Sequence, residues 1–399
     1  MGKMKIITSM FLALCLMLPV FVHAEMNEEL LFDDDFLLEE DADDYRPDPL
    51  RQAKILMRHM TLEEKIGQMI MISPEDMTGE KRSERIAGLG IFSDFPVGGV
   101  ILYGQNISSE KQLRALIQDI YDGSQNAGLY PPFIAVDEEG GYVARIANKL
   151  GIATASSAEA TALTGDAQNA FQNGRMIGAY LKEFGINLDL APVADVLIAS
   201  APELEGRSYG TDPQLVSQMA RMMAEGLRDE GIIPCFKHFP GHGAAGRNAH
   251  NVPVSHGRSL AEMQSCELIP FEDAIRDGAE MIMMSHLKIN SLDSAHPASL
   301  SRVLVTDVLR NTFGFQGVVI TDALRMDAIK EEYSISEAAV LAVDAGVDIL
   351  LVPGDGKRAF DALVKAVENG TISMERIDES VARILALKIK SGLIQRVIM

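Results

Sequence analysis

The sequence predicts an α/β protein, and a (β/α) barrel fits it better than an open doubly wound sheet. Short apolar runs alternate with amphipathic helical patterns, and the runs are continuously apolar, as strands of a parallel sheet covered on both faces must be. Polar groups suited to binding or chemistry follow several different strands, whereas a doubly wound sheet gathers its site at one crevice. No dinucleotide-type glycine fingerprint opens a first helix.

The amino terminus stands apart from this pattern. Lys3 and Lys5 precede an apolar run from Ile6 to Val22, and Val22-His23-Ala24 offers small or apolar residues at the cleavage-determining positions, so residues 1–24 read as a signal peptide. The run is short for a membrane span and Pro19 interrupts it, which predicts no stable membrane insertion after cleavage and an exported protein, periplasmic or secreted. Residues 25–49 form an acidic leader with Asp33-Asp34-Asp35 and Glu39-Glu40-Asp41, whose self-repulsion predicts a loose, disordered segment. It contributes much of the formal net charge of -21, a balance that disfavours nucleic acid as a partner. Beyond the first 24 residues only Cys235 and Cys266 remain, too few for a disulfide framework.

The body, residues 50–399, opens with a helical pattern. Thr61 and Glu64 make a capping box, and Leu62, Ile66, Met69 and Ile70 share one apolar face of the helix that follows. The strands are then Val97–Tyr103, Pro132–Val136, Ile186–Ala191, Ile232–Phe236, Met281–Met284, Gly317–Thr321 and Val347–Val352. Helical stretches Glu110–Ser124, Leu215–Glu230 and Ser259–Asp277 lie between them, and an eighth strand has no clear place in the sequence.

Strand ends carry the candidate site. Asp137 and Glu139 precede Gly140-Gly141, with Arg145 beyond; Asp189 and Asp195 flank Pro192; Ser285 and His286 follow one strand and Asp322 another. Lys237 and His238 are expected just beyond the strand Ile232–Phe236, where Gly241, Gly243 and Gly246 begin a loop that reaches His250. A metal reading of His238 and His242 is disfavoured, since Pro240 and the glycines break the helix that such a spacing needs. The alternative makes His250 a proton-transfer group on a loop, with Lys237 and His238 holding a polar substrate. Arg207, in a Gly-flanked loop, adds a guanidinium fork suited to hydroxyls or a carboxylate. Together these form a pocket with many hydrogen-bonding arms, as a sugar demands. Asp322 is placed to attack an anomeric carbon and His250 to protonate the departing oxygen.

These motifs resemble glycoside hydrolase family 3, and within it the single-domain β-N-acetylglucosaminidases. The likeness runs from Met60–Gln68 to Arg376–Ser380 and Arg383–Leu385, with Lys237–Gly243 and Thr321–Leu324 as its specific segments. It implies a TIM-like (β/α)8 barrel as a single catalytic domain, a covalent glycosyl-enzyme on Asp322, His250 as acid/base, sugar contacts from Asp137, Arg145, Arg207, Lys237 and His238, and no metal or organic cofactor. The chain ends soon after the Ser380–Leu393 helix, so no C-terminal α/β sandwich domain is expected, and a monomer is. Two positions depart from the family pattern: Tyr142 replaces the Arg after Gly-Gly, and Asn248 replaces the Asp that partners the loop histidine. The expected function is therefore retaining, exo-acting removal of terminal β-linked N-acetylglucosamine from peptidoglycan fragments or chitin-like oligosaccharides. Alternatives are a saccharide-binding protein on a decayed scaffold, a phosphorylase, or a β-glucosidase.

Overall fold

The computed structural model describes residues 48–88, 90–246 and 254–395, all within the compact unit Pro47–Met399. The signal peptide, nearly all of the acidic leader, Asn248 and His250 lie outside the described residues. Asp48 caps the helix Pro49–Met57 through its side chain, so the body takes in Asp48 and Pro49 as well.

Eight parallel strands form the barrel: β1 (Ile70–Ile72), β2 (Gly99–Leu102), β3 (Phe133–Val136), β4 (Leu188–Asp189), β5 (Ile233–Phe239), β6 (Met281–Met284), β7 (Val318–Thr321) and β8 (Leu350–Leu351). They pair in chain order from β1 to β7, and β8 returns to pair with β1. A bridge between Ile320 and Ile349 joins β7 to β8 and completes the ring. Every described residue of β1 to β8 is buried, which explains the continuous apolar runs.

The strand missing from the sequence reading is β1. Met69 and Ile70 continue the helical spacing of Leu62 and Ile66, yet the helix stops at Gln68 and Ile70 begins the strand. A second correction concerns β5, which runs through Phe239, so Lys237 and His238 lie on the strand itself. Its register with β6 slips between Lys237 and Phe239, leaving His238 as an extra residue. Successive residues of a regular strand face opposite sides, whereas this bulge lets Lys237 and His238 both line the central cavity. The peptide bonds Ala191–Pro192, Lys237–His238 and Phe239–Pro240 are cis.

The outer helices pack by apolar faces at helical spacing. Pro213–Asp229 buries Val216, Met219, Ala220, Met223 and Leu227, and crosses Ala167–Phe184 closely at two glycines. A Cβ on Gly174 would lie 2.1 Å from the Met223 carbonyl oxygen, and one on Gly226 would lie 2.2 Å from that of Phe171, so neither position admits a side chain. No helix among the described residues is long and apolar enough to cross a membrane.

The amino-terminal face of the barrel is tied by charge. Asp348, fully buried, accepts from Val319 N at 2.9 Å, Ser380 Oγ at 2.6 Å and Arg383 Nη1 at 3.1 Å, and pairs with Arg310 at 2.5 Å. Burial opposes ionisation of Asp348, but Arg310, Arg383 and Arg376 outweigh it and hold the carboxyl below its ordinary range. Nearby, Lys388 from the last helix donates to Gln68 Oε1 at 2.7 Å and to the Gly98 carbonyl at 3.0 Å, with its ammonium over the Phe133 ring.

Candidate active site

A cavity of about 430 Å³ lies at the carboxyl ends of the strands, where a barrel of this kind assembles its chemistry. Asp137, just after β3, accepts from Lys237 Nζ at 2.7 Å. The same ammonium stands 2.7 Å from Glu139 Oε1. Arg207 closes on Glu139 from the other side, Nε to Oε2 and Nη2 to Oε1, both at 2.7 Å, while its Nη1 donates to the Glu203 carbonyl at 2.8 Å. Two acids and two cations thus form one lattice across the β3 loop, β5 and the loop before Arg207.

Burial alone would raise the Glu139 carboxyl, but Lys237 and Arg207 drive it well below the carboxylate range. Burial would likewise lower Lys237, and Asp137 with Glu139 instead hold it above the ordinary lysine range. Glu139 and Lys237 therefore stay charged throughout the neutral range, and the hydrogen-bonding groups of the lattice are fixed before any ligand arrives.

His238 is braced from behind. Asp195, fully buried, accepts from His238 N at 3.3 Å and from His242 N at 2.6 Å, and its Oδ2 lies 2.7 Å from His238 Nδ1. A carboxylate on Nδ1 makes that nitrogen the donor and leaves Nε2 for the cavity. His242 Nδ1 lies 3.1 Å from Glu203 Oε1, and the imidazole pKa is raised, since Glu203 and Asp195 outweigh the burial that would lower it. The two rings meet edge to face, centroids 5.8 Å apart. Among the described residues no group of three or more His, Cys, Asp or Glu is placed to hold a metal.

Asp322 follows β7 and lines the same cavity, with Oδ1 accepting from Ala323 N at 2.7 Å. His286 supports this loop from beneath: its Nε2 lies 3.0 Å from the Ala323 carbonyl oxygen and its Nδ1 2.8 Å from Ser299 Oγ. Both ring nitrogens are occupied, so His286 positions the loop; it does not line the cavity. Asp189 is also set back, fully buried, with Oδ1 accepting from Glu138 N at 3.0 Å.

Of the site residues read from sequence, Asp137, Arg145, Arg207, Lys237, His238 and Asp322 converge on this cavity. Arg145 lines the cavity, and its Nε, buried, has no hydrogen-bond partner among the described residues. Sequence reasoning missed Glu203, Tyr103 and Arg325. Glu203 lies in a proline-containing 3-10 turn away from any strand end. Arg325 sits over the Tyr103 ring at 4.8 Å, and both line the cavity, although neither belongs to a motif.

Residues 61–387 match the glycosyl hydrolase family 3 N-terminal domain. The chain belongs to glycosyl hydrolase family 3. A β-hexosaminidase, LpqI, of Mycobacterium tuberculosis is 32% identical over 339 residues, covering 82% of this chain and 82% of the relative. An uncharacterized secreted glycosyl hydrolase of Arthroderma benhamiae is 34% identical over 331 residues, covering 81% of this chain and 92% of that protein. Among solved structures, a glycoside hydrolase family 3 β-N-acetylglucosaminidase from Paenibacillus sp. str. FPU-7 superposes with a TM-score of 0.79 at 33% identity. That superposition covers 84% of this chain and 63% of the other, so the chain spans under two thirds of that protein's length. The eight-stranded barrel described above is the family 3 catalytic barrel.

Proposed function

We propose that this family 3 enzyme is a retaining exo-β-N-acetylglucosaminidase that removes terminal β-linked N-acetylglucosamine from peptidoglycan fragments or chitin-like oligosaccharides. The observation that carries the reading is the fixed lattice of Asp137, Lys237, Glu139 and Arg207 in the same cavity as Asp322. The lattice supplies directional donors and acceptors for the hydroxyls of one sugar ring, and His238 Nε2 and the Arg145 guanidinium add two more arms.

In the first half-reaction an Asp322 oxygen bonds to the anomeric carbon, the glycosidic C–O bond breaks, and His250 gives its proton to the departing oxygen. In the second, His250 takes a proton from water, the hydroxide oxygen bonds to the anomeric carbon, and Asp322 leaves as carboxylate. Two inversions at carbon give net retention. Ala323 N, on one Asp322 oxygen, orients the carboxylate for attack. The likeness to proteins named β-hexosaminidase and β-N-acetylglucosaminidase supports the N-acetyl sugar as the residue removed. The same reading makes residues 1–24 a cleaved signal, residues 25–49 a leader and the mature protein an exported monomer, periplasmic or secreted.

Turnover of a chromogenic β-N-acetylglucosaminide, with and without phosphate, tests the activity. Release that is independent of phosphate and yields the free β-anomer first is expected. Release only with phosphate would make the protein a phosphorylase, and ligand binding without release under either condition would make it a saccharide-binding protein.

A further inference from the structure

Six large apolar side chains are exposed among the described residues, and Tyr142, at 59%, is the one that lines the polar cavity. The groups that would grip the departing terminal sugar are deeply buried, Lys237 at 2% and Glu139 at 7%. Tyr142 therefore marks the mouth of the cavity and the other residues its floor.

The turn that carries the ring is held by its backbone, and one edge of the ring lies beside a neighbouring loop. Tyr142 follows the two-stranded ribbon segment Glu138–Gly140, and Gly140 and Gly141 have φ of 87° and 59°. A Cβ on either would come within 2.7 Å of Ser156 O or Ser157 Cβ, so the turn is pressed onto residues 155–157. Gly141 N donates to the Ala155 carbonyl at 2.9 Å, and Asn148 Nδ2 donates to the Tyr142 carbonyl at 3.1 Å. Across the mouth, a Cβ built on Gly206 would lie 3.6 Å from Tyr142 Cε1, so the ring rests beside the loop that carries Arg207. A large, rigid aromatic has little freedom to lose on binding, and its electron-rich face attracts C–H groups.

In an exo-acting pocket the terminal sugar fills the floor, and the rest of the substrate leaves through the mouth. A β-linked pyranose with equatorial substituents presents a flat face of axial C–H bonds. We propose that Tyr142 is the platform of an acceptor subsite, stacking on the sugar that remains attached to the departing residue. This rests on the exo-glycosidase reading above. It makes Tyr142 a specificity-determining residue that favours a carbohydrate aglycone over a small alkyl one.

The test compares kcat/KM for a β-1,4-linked N-acetylglucosamine disaccharide with kcat/KM for the methyl β-glycoside. Tyr142→Ala and Tyr142→Leu are expected to lower the disaccharide-to-methyl ratio about five- to tenfold, and Tyr142→Phe to keep it. An unchanged ratio in the Ala and Leu variants overturns the proposal. Calorimetric binding of disaccharide and monosaccharide to the Asp322→Asn protein provides a second arm that does not depend on turnover. There the disaccharide is expected to bind more tightly, and adding Tyr142→Ala to remove that preference; equal binding of the two sugars overturns the proposal. If wild-type protein cleaves neither glycoside, the activity reading fails, and the binding arm alone decides the role of Tyr142.

Discussion

Arg207 grips Glu139 by one edge of its guanidinium in two parallel bonds, Nε to Oε2 and Nη2 to Oε1, each at 2.7 Å. The carboxylate is nearly inaccessible and also faces Lys237, so neutralising it leaves two buried cations without their shared counter-charge. Glu139→Gln should destabilise the fold by about 3–5 kcal/mol, the usual cost of breaking a buried pair from one side. Denaturant unfolding measures this directly. The loss should appear at neutral pH and shrink as strong acid protonates the wild-type carboxyl, because a depressed carboxyl contributes stability above its unfolded pKa and loses it as pH falls.

Asp322→Ala should reduce hydrolysis by at least about 10³-fold while leaving the unfolding midpoint nearly unchanged. A fluorinated N-acetyl sugar analogue with a good leaving group should label Asp322, read by peptide mass. A label on Asp137 instead would make Asp137 the nucleophile.

Lys388 gives the barrel floor a pH dependence. Burial pushes its ammonium down to about 7, against about 10.4 when exposed. Between these values the unfolded chain binds the extra proton, so this group adds stability as pH rises across the window and costs stability below it. Lys388→Met should flatten the rise in unfolding free energy between about pH 7 and pH 10. Equal slopes in wild type and variant would show that Lys388 stays charged, held by Gln68 and Gly98.

Asn248 provides a chemical test outside the described residues. A carboxylate beside an imidazole stabilises the imidazolium formed during proton transfer, and an amide offers no such charge. Asn248→Asp should raise turnover for glycosides with poor leaving groups and do little for activated aryl glycosides. The ratio of the two rates, compared between proteins, reads this out; a ratio that does not move gives His250 another partner.

The barrel was legible because its strands are buried on both faces, which forces the continuous apolar runs, and because Asp137 and Asp322 stand directly after two of them. β1 was hidden: it is three residues long and follows its helix with only Met69 between, so helical periodicity runs straight into it. Lys237 and His238 were placed just past the strand end, when the strand runs on through Phe239, because a bulge has no sequence signature of its own. Glu203 and the Arg325–Tyr103 stack depend on tertiary packing between distant loops, and nothing local marks them.

The ring closes between β7 and β8 with one stitch made by a side chain. Leu351 N donates to Thr321 Oγ1 at 3.0 Å, where a regular parallel ladder would use a backbone oxygen, while Thr321 N still donates to the Ile349 carbonyl. The chain can therefore leave the line of the sheet at Thr321 and deliver Asp322 to the cavity without stranding its neighbour's amide. One hydroxyl thus couples closure of the scaffold to the placement of Asp322, and a replacement such as Thr321→Val, which keeps the size and removes the hydroxyl, would strand the Leu351 amide.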